Sequence, residues 1–598
     1  MCGIMGYAGE ENAVDVIIDG LENLEYRGYD SAGFAVFNGG KLTVRKVVGS
    51  PSGLRNNTDG VTGKIGIGHT RWATHGAPTV DNAHPHCSSN GLFTVVHNGI
   101  IENFAELKET LESDGYIFKS ETDTEVIAHL LEKEYNGDLK GTVAAVLPKL
   151  KGSYALGILC ADYPDIIVCA KLSSPLFAGT SADSAFLASD ASAIAAKCDR
   201  LYRLGDGEIG MLTKDSFKVY DMDGCRIRKC EVKIKAYDGT LDKGGYEHFM
   251  LKEIHEQPIA VRRTLCEIID DKRKIKFKNF KITAQDAKKI SKISFVACGS
   301  AYHVGMVGAY AVQSLLHIDS EACVASEFRY KNPALNENTL VVVISQSGET
   351  ADTLAALRLA RLSGAKVVSV VNVENSTIAQ ESDSVIFTRA GKEVAVATTK
   401  AYSAQLAVIY ALVLHLALKI GAITSKKCSE FVNELCTLPD KIEQLLGRES
   451  EYKKLSETVC KSDYICFIGR GLDYCAATEA SLKLKEVSYL PCEAYPAGEL
   501  KHGTISLIDE NSLVIALCCS EKLRTKTQSN IKEAEARGAR SIIVSPEESS
   551  DIVIPETNDI FSVMLEVVPM QLLAYYTAKI RNCEIDKPRN LAKSVTVE

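Results

Sequence analysis

Three groups of residues in this chain have the types and spacing that chemistry demands. The first is the amino terminus, MCGIMGY, which puts Cys2 directly behind the initiator methionine. Removal of Met1 exposes a thiol and a free α-amine on one residue. Such an amine titrates near pKa 7.7–8.0, so it can take the thiol proton and turn the sulfur into a nucleophile. An ordinary buried cysteine in a first strand remains the other reading of these two residues. The second group is SQSGET, where an apolar strand runs into the helix ADTLAALRLA. The hydroxyls of Ser345, Ser347 and Thr350, with Gln346 beside them and Gly348 allowing close approach, read as an anion cradle at a helix N-terminus. It lacks the lysine of a Walker loop. The third group lies in CAATEASLKLKEVSYLPCEAYPAGELKHG (475–503), where Glu479, Lys483 and Glu486 fall at i, i+4 and i+7. That spacing puts them on one helix face, and His502 follows in a Gly- and Pro-bounded loop. A carboxylate, an ammonium and an imidazole near a bound phosphate ester suit ring opening and proton movement between adjacent carbons. A solvated salt-bridge face accounts for Glu479 and Lys483 equally well.

The elements that must position these groups follow from length and pattern. With 598 residues the chain has room for three to five domains. A net charge of −9 argues against nucleic acid or an anionic membrane as the main partner. Nineteen cysteines show no framework spacing, which fits free thiols in a reducing cytoplasm. Glu10, Glu11 and Asp15 stand where a secretory leader needs apolar residues. The apolar run at 407–423 carries His415 and Lys419 and reads as a core helix. Residues up to about 220 alternate short β-type runs with Gly turns, and helical stretches over 12–25 and 102–113. This predicts an α+β fold of stacked antiparallel sheets. A linker helix is expected over 245–265, and beyond it strands alternate with long helices.

That second part repeats. ISFVACGS (293–300) and LVVVISQSGET… (from 340) find counterparts in YICFIGRG (464–471) and LVIALCCSEK… (from 513). Gly299 aligns with Gly469, Ser345 with Cys518 and Gly364 with Gly538, at offsets of 170, 173 and 174. Two copies of a doubly wound α/β domain are expected, with ligands at the carboxyl ends of the strands. In the second copy CCSEK replaces the cradle, and Glu521 and Lys522 remove the anion cup.

Taken together, CGIMGY, LEYRGYDSAG, GHTRWATHG, NAHPH, VVHNGIIENF, SETDTE, SQSGETADTL, GELKHG and the ending DKPRNLAKSVTVE resemble one family over essentially the whole chain. It is the isomerising glutamine–fructose-6-phosphate aminotransferases, or glucosamine-6-phosphate synthases. The resemblance implies a class II glutamine amidotransferase domain of αββα N-terminal-nucleophile fold at 2–220 and a linker at 221–284. It further implies a first sugar-isomerase (SIS) domain at 285–424, a helical connection at 425–455, a second SIS domain at 456–588 and a catalytic tail at 589–598. Cys2 takes the nucleophile position, and Asn98 with the Gly99 N–H the oxyanion hole. Arg71 matches the residue that holds the glutamine α-carboxylate, and Asp123 the one that holds its α-ammonium. Thr74 and His75 match the glutamine loop, and Trp72, the only tryptophan, the gate of the ammonia passage. Ser345, Gln346, Ser347 and Thr350 correspond to the sugar-phosphate cup, with Ser300 and Thr398 as additions. Lys593 matches the Schiff-base lysine, Glu486 the proton carrier between C1 and C2, His502 the ring-opening residue and Lys483 a stabiliser of developing charge. The implied reaction makes glucosamine 6-phosphate and glutamate from fructose 6-phosphate and glutamine, the first step toward UDP-N-acetylglucosamine. Ammonia is implied to pass internally between the two sites. A homodimer is implied, and no cofactor or metal is expected; His84 and His86 are read as structural.

Departures from the family pattern are Ser300–Ala301 where Thr-Ser is usual, Thr504 where proline commonly follows HG, and Lys171 before the SPL segment. The chain also lacks the inter-domain insertion of animal members and resembles the shorter bacterial type. Other acceptors for a glutaminase half, as in amidophosphoribosyltransferase or asparagine synthetase, require a phosphoribosyl-diphosphate or nucleotide motif that the second half lacks. Deglycases of amino-acid–sugar conjugates usually lack the N-terminal half present here. A sugar-phosphate sensor would favour an N-terminal helix-turn-helix over Cys2.

Overall fold

The computed structural model describes residues 2–38, 40–58, 60–73, 75–232 and 242–596. It divides into two compact units, one of residues 1–241 with 594–598 and one of residues 242–593.

The first unit is built from two seven-stranded sheets, antiparallel throughout. Strand β1 (Gly3–Gly9) is central in one of them, paired on one side with Ser184–Ala188 and on the other with β2 (Ile65–Arg71). In the other sheet β3 (Phe93–Ile101) pairs with β4 (Gly152–Cys160) along its whole length. Period-2 alternation turns Ile4, Ala8, Ile65 and Ile67 of one sheet and Val96, Ala155 and Leu159 of the other into a shared buried layer. Helix α1 (Ala13–Asn23) covers the far face of the first sheet. Helices over 125–134 and 139–146 cover the second. The result is the expected αββα stack. Helices at Ala13–Asn23 and Phe104–Ser113 lie within the stretches expected to be helical.

The second unit contains two five-stranded parallel sheets. The first has the order β6–β5–β7–β8–β9, with β5 Lys292–Ala297, β6 Asp319–Val324, β7 Thr339–Ser345, β8 Lys366–Val371 and β9 Ser384–Phe387. The second repeats it as β11–β10–β12–β13–β14, with β10 Tyr464–Gly469, β11 Cys492–Pro496, β12 Ser512–Leu517, β13 Arg540–Ser545 and β14 Ile552–Val553. This is one doubly wound module used twice. The duplication is as expected, but its register needs correcting. Helices α2 (Ser300–Leu316) and α5 (Leu472–Ser488) each start after a glycine with positive φ, Gly299 at 56° and Gly471 at 60°. Gly299 is therefore equivalent to Gly471, and the offset there is 172 rather than 170. A two-residue misreading survives at sequence level because both CGS and GRG carry glycine in a strand-to-helix turn.

Two further helices, α4 (Lys400–Ile420) and α7 (Ser562–Ile580), are buried along nearly all of their surface and join the two modules in one apolar core. Both are long and apolar enough to cross a membrane by length and composition, with 78% and 100% of their apolar windows buried inside the fold. The expected linker helix is two helices, Phe249–His255 and Gln257–Ile268, which pack into this core through Met250, Ile254, Val261 and Leu265. Pro258 in the first turn of the second one fits the position where its missing N–H costs nothing. Part of the expected linker, residues 233–241, lies outside the described residues.

Candidate active sites

In the first unit, Cys2 sits just ahead of β1 and its carbonyl is gripped from two sides. Arg27 Nε donates to it at 3.2 Å and Asn98 Nδ2 at 3.0 Å. The thiol lies 3.6 Å from the Trp72 carbonyl and is half-buried. Burial pushes the thiol up, with Arg71 nearby pulling the other way. Such a thiol needs a base to become a nucleophile at neutral pH.

The strand opposite supplies a donor that sequence alone does not reveal. The short strand His86–Cys87 covers β3 only at Thr94 and Val95, leaving one edge of β3 open from Val96 onward. Along a strand every second N–H points to the same edge. The His97 N–H donates to His84 Nδ1 at 3.4 Å and the Ile101 N–H to Asp123 Oδ2 at 2.8 Å. Between them the Gly99 N–H faces the same open edge. Gly99 has φ of 141°, and a Cβ there would sit 2.0 Å from the Ser153 carbonyl oxygen. Only glycine lets the backbone take this form. Next to it, Asn98 accepts from His69 Nε2 at 3.0 Å while its amide nitrogen reaches Cys2.

Asp123 is placed by its neighbours. Thr122 and Thr124 on either side contact His86 Nε2 and His84 Nε2, each at 3.1 Å, and Thr124 also meets His97 Nδ1 at 3.0 Å. Ser120 and Glu125 close the turn, with the Ser120 hydroxyl 2.6 Å from the Glu125 carboxylate. Arg71, 3% exposed, turns its guanidinium into the loop after β2 and donates to the carbonyls of His75, Gly76 and Ala77. Those bonds use three of its five donors. The His75 ring packs edge-on to Phe104 at 5.2 Å. Cys2, Arg71, Trp72, His75, Asn98, Gly99 and Asp123 thus come from one neighbourhood of this unit; Thr74 lies outside the described residues. Arg27 was not singled out from the sequence, although LEYRGYDSAG contains it.

In the second unit the cradle stands at the carboxyl end of β7, beside the point where the strand order reverses. The Ser345 and Thr350 hydroxyls are 2.9 Å apart, the Gly348 N–H donates to Ser345 Oγ at 3.0 Å, and the Glu349 N–H to Ser347 Oγ at 3.2 Å. Gly348 has φ of 67°, and a Cβ would strike Ser376 Oγ at 2.0 Å. Helix α3 (Ala351–Leu362) begins there, with Thr350 as N-cap. At the equivalent place in the second module the protein fills the position with its own carboxylates. The Ser520 N–H donates to Asp473 at 3.3 Å, and the Ser520 hydroxyl to Asp559 at 2.9 Å, at the start of helix α6 (Glu521–Glu535). Loss of the cup is therefore due to Asp473 and Asp559 as much as to the CCSEK substitution.

The ionic face of α5 is buried. Glu479 is 0% and Lys483 1% exposed, which excludes the solvated salt-bridge reading. Lys483 Nζ lies 2.5 Å from Glu486 and 3.5 Å from Glu479. Burial alone would lower the ammonium, but Glu486 and Glu479 hold it above its usual value. Across from them on α2, Ser300 Oγ donates to Glu479 at 2.9 Å and His303 Nδ1 lies 2.7 Å from its other oxygen. Ser300 thus also belongs to this cluster. His502, in the turn Glu499–His502, is exposed and bonds neither Lys483 nor Glu486.

Lys593 is 5% exposed, with its Nζ against the buried Glu393 carboxylate at 2.5 Å. Glu393 also accepts from Thr398 Oγ1 at 2.6 Å and from the N–H groups of Thr399 and Ala401. Burial would raise this carboxyl; Lys593 and these three bonds hold it down to about 2. Neighbouring Glu253 is pushed up to about 8 by burial and by Glu393. Thr398 thus supports Glu393. Glu393 and Glu253 went unread in the sequence, because neither stands in a motif with chemical spacing.

A glutamine amidotransferase domain model matches residues 69–196, and an SIS domain model matches residues 287–415 and 459–575. Among curated relatives, a protein named glutamine–fructose-6-phosphate aminotransferase (isomerizing) from Caldanaerobacter subterraneus subsp. tengcongensis is 49% identical over the whole of both chains. One of the same name from Clostridium tetani is 48% identical, again over the whole of both chains. Among solved structures, the C-terminal domain of glucosamine-fructose-6-phosphate aminotransferase from Francisella tularensis is 35% identical, with a TM-score of 0.56. That match covers 58% of this chain and all of that one.

Two outcomes are expected from this geometry. His69, His84, His86 and His97 are all held neutral by burial, His69 down to about 3. The unfolded chain takes up protons below pH 6.5 that these rings refuse, so the first unit loses stability as pH falls from about 6.5. The loss amounts to as much as about 1.4 kcal/mol per pH unit for each ring. Scanning calorimetry at pH 7 and pH 5 checks this; an unchanged transition contradicts it. Glu393→Gln leaves a buried ammonium unpaired, which costs about 3–5 kcal/mol. Trypsin is expected to cleave after Lys593 at least ~10-fold faster in that variant, read by mass spectrometry of the released end.

Proposed function

The chain belongs to the isomerising glutamine–fructose-6-phosphate aminotransferases, enzymes that convert fructose 6-phosphate and glutamine to glucosamine 6-phosphate and glutamate, and from that premise we propose how its residues divide the work. With Met1 removed, the Cys2 α-amine takes the thiol proton and the sulfur attacks the glutamine side-chain amide carbon. The oxygen that becomes negative is met by the Gly99 N–H and the Asn98 amide. One such preorganised donor is worth roughly 10²–10³ in rate. The amine returns its proton to the leaving nitrogen, ammonia departs, and water hydrolyses the glutamyl thioester to glutamate and free Cys2. Arg71 holds the glutamine α-carboxylate, Asp123 its α-ammonium, and Trp72, Thr74 and His75 close over it. The observation that carries this half is the grip on Cys2 beside an N–H directed at an open strand edge.

In the other half, Ser345, Gln346, Ser347 and Thr350 hold the sugar phosphate. His502 assists ring opening. The Lys593 amine forms an imine with C2 of the open-chain ketose, releasing water, and ammonia then displaces the lysine. Glu486 carries a proton from C1 to C2, and Lys483 beside it stabilises the charge that develops. Burial of Lys483, Glu479 and Lys593 supports this reading, since charged groups are kept out of water at such expense where chemistry uses them. Ser300 and Thr398 act through Glu479 and Glu393. Ammonia passes from one half to the other inside the protein, and the product enters hexosamine synthesis. The chain acts as a cytoplasmic homodimer without a nucleic-acid or membrane partner; its nineteen unpaired cysteines suit a reducing compartment.

The two halves are separable by experiment. Cys2→Ala is expected to lower glutamate release by at least ~10³-fold while borohydride still traps fructose 6-phosphate on Lys593. Lys593→Arg is expected to do the reverse, losing the trapped adduct and the amino sugar while glutamine hydrolysis continues. Glutamate release from Cys2→Ala, or trapping at a residue other than Lys593, overturns the assignment.

A further inference from the structure

The Asn98 side chain has two ends that differ in chemistry but hardly in shape. Its oxygen must point away from the reacting centre and its nitrogen toward it, or the oxyanion meets a lone pair instead of a donor. Something must fix that choice. Completely buried His69 is in contact with the amide oxygen: its Nε2 lies 3.0 Å from Asn98 Oδ1 and 2.9 Å from the His97 carbonyl. Both partners are acceptors, so Nε2 carries the hydrogen. His69 Nδ1 is buried without a partner, as befits the bare nitrogen of a neutral ring.

The rings packed around it have their tautomers fixed in the same way, by their own partners. The His97 N–H donates to His84 Nδ1, so His84 carries its hydrogen on Nε2 and gives it to Thr124 Oγ1. The Thr124 hydroxyl is then free to donate to His97 Nδ1, leaving His97 Nε2 as a donor to the Ser153 carbonyl at 3.4 Å. The His69 and His84 rings stack with centroids 4.0 Å apart. Burial keeps all of these rings neutral, so each tautomer is set by its neighbours. That relay ends at the Ser153 carbonyl, while His69, packed against the His84 ring, separately gives its one N–H to Asn98 Oδ1 and the His97 carbonyl.

We propose that His69 is a positioning residue for amide hydrolysis, locking the Asn98 side chain with its oxygen inward and its nitrogen toward Cys2 and the developing oxyanion. This rests on the assignment of Asn98 to the oxyanion hole given above. His69 touches neither glutamine nor the sulfur in this scheme. Its whole effect runs through Asn98, in the transition state and not in substrate binding. Loss of the donor therefore lowers kcat for glutamate release and leaves the KM for glutamine in place.

The test compares two substitutions of nearly equal shape. His69→Gln keeps an N–H that reaches Asn98; His69→Met has none. Methionine is expected to lower kcat by about 10²-fold at an unchanged KM, within the range for a lost oxyanion donor. Glutamine is expected to stay within about threefold of the parent. Asn98→Ala, and His69→Met placed in that background, complete a double-mutant cycle, and the second loss is expected to vanish there. Lys593 trapping by borohydride reports in every variant that the sugar half is folded. Equal rates for Gln and Met, a rise in KM alone, or a full His69→Met loss persisting on top of Asn98→Ala overturns the role of His69. If Asn98→Ala itself leaves kcat unchanged, the oxyanion assignment fails instead. Should the methionine variant not fold, His69→Leu takes its place in the same comparison.

Discussion

A polar group withdrawn from water must be met by another, and both reactive centres of this protein are consequences of that rule. An unpaired buried donor or acceptor costs about 1–3 kcal/mol, and a buried charge costs more. Around Cys2 the rule produces a closed set of directed hydrogen bonds. The Cys2 carbonyl is taken by Arg27 and Asn98, the Asn98 oxygen by His69, and the flanking N–H groups of β3 by His84 and Asp123. With its neighbours committed in this way, the Gly99 N–H is left facing the open edge of β3, which suits the oxyanion role proposed for it. Preorganisation here means that the donors have nowhere else to point.

The same rule, applied to charges, shapes the second unit. Lys483 is fully enclosed and survives as an ammonium because Glu479 and Glu486 flank it; Glu479 in turn leans on Ser300 and His303. Lys593 is held by Glu393, itself fixed by Thr398 and two backbone N–H groups. The duplicated module shows the rule acting during divergence. One copy gathers the hydroxyls of Ser345, Ser347 and Thr350 at the head of α3, whereas the other meets the head of α6 with Asp473 and Asp559. A helix N-terminus attracts an anion either way. The difference between the copies is that the protein's own carboxyl groups, Asp559 and an Asp473 pushed up by burial, meet the head of α6.

Much of this was legible in the residues, for reasons that also mark the boundary. Period-2 and period-3.6 patterns report the αββα stack and the repeated α/β modules because those periods are set locally. The i, i+4, i+7 spacing of Glu479, Lys483 and Glu486 likewise announces a shared face. Whether that face is wet or dry is decided by α2, some 180 residues away, where His303 and Ser300 meet Glu479. The open edge of β3 depends on a neighbouring strand that begins only at His86, and strand length on another element leaves no trace in VVHNGII. Glu393 and Glu253 carry no motif because their roles come from the partners that surround them. Helix α7 went unread since Glu566 and Gln571 interrupt its apolar run, although both are completely buried.

The central claim is that one chain hydrolyses an amide at Cys2 and spends the ammonia on a sugar imine at Lys593. The most direct measurement is one incubation with glutamine labelled at the amide nitrogen, fructose 6-phosphate and an excess of unlabelled ammonium, followed by mass spectrometry of the sugar product. The account predicts a 2-amino-sugar phosphate carrying the glutamine label almost undiluted, with glutamate in equal amount. An amino sugar that carries the unlabelled nitrogen, or glutamate and free labelled ammonia with no amino sugar, contradicts it.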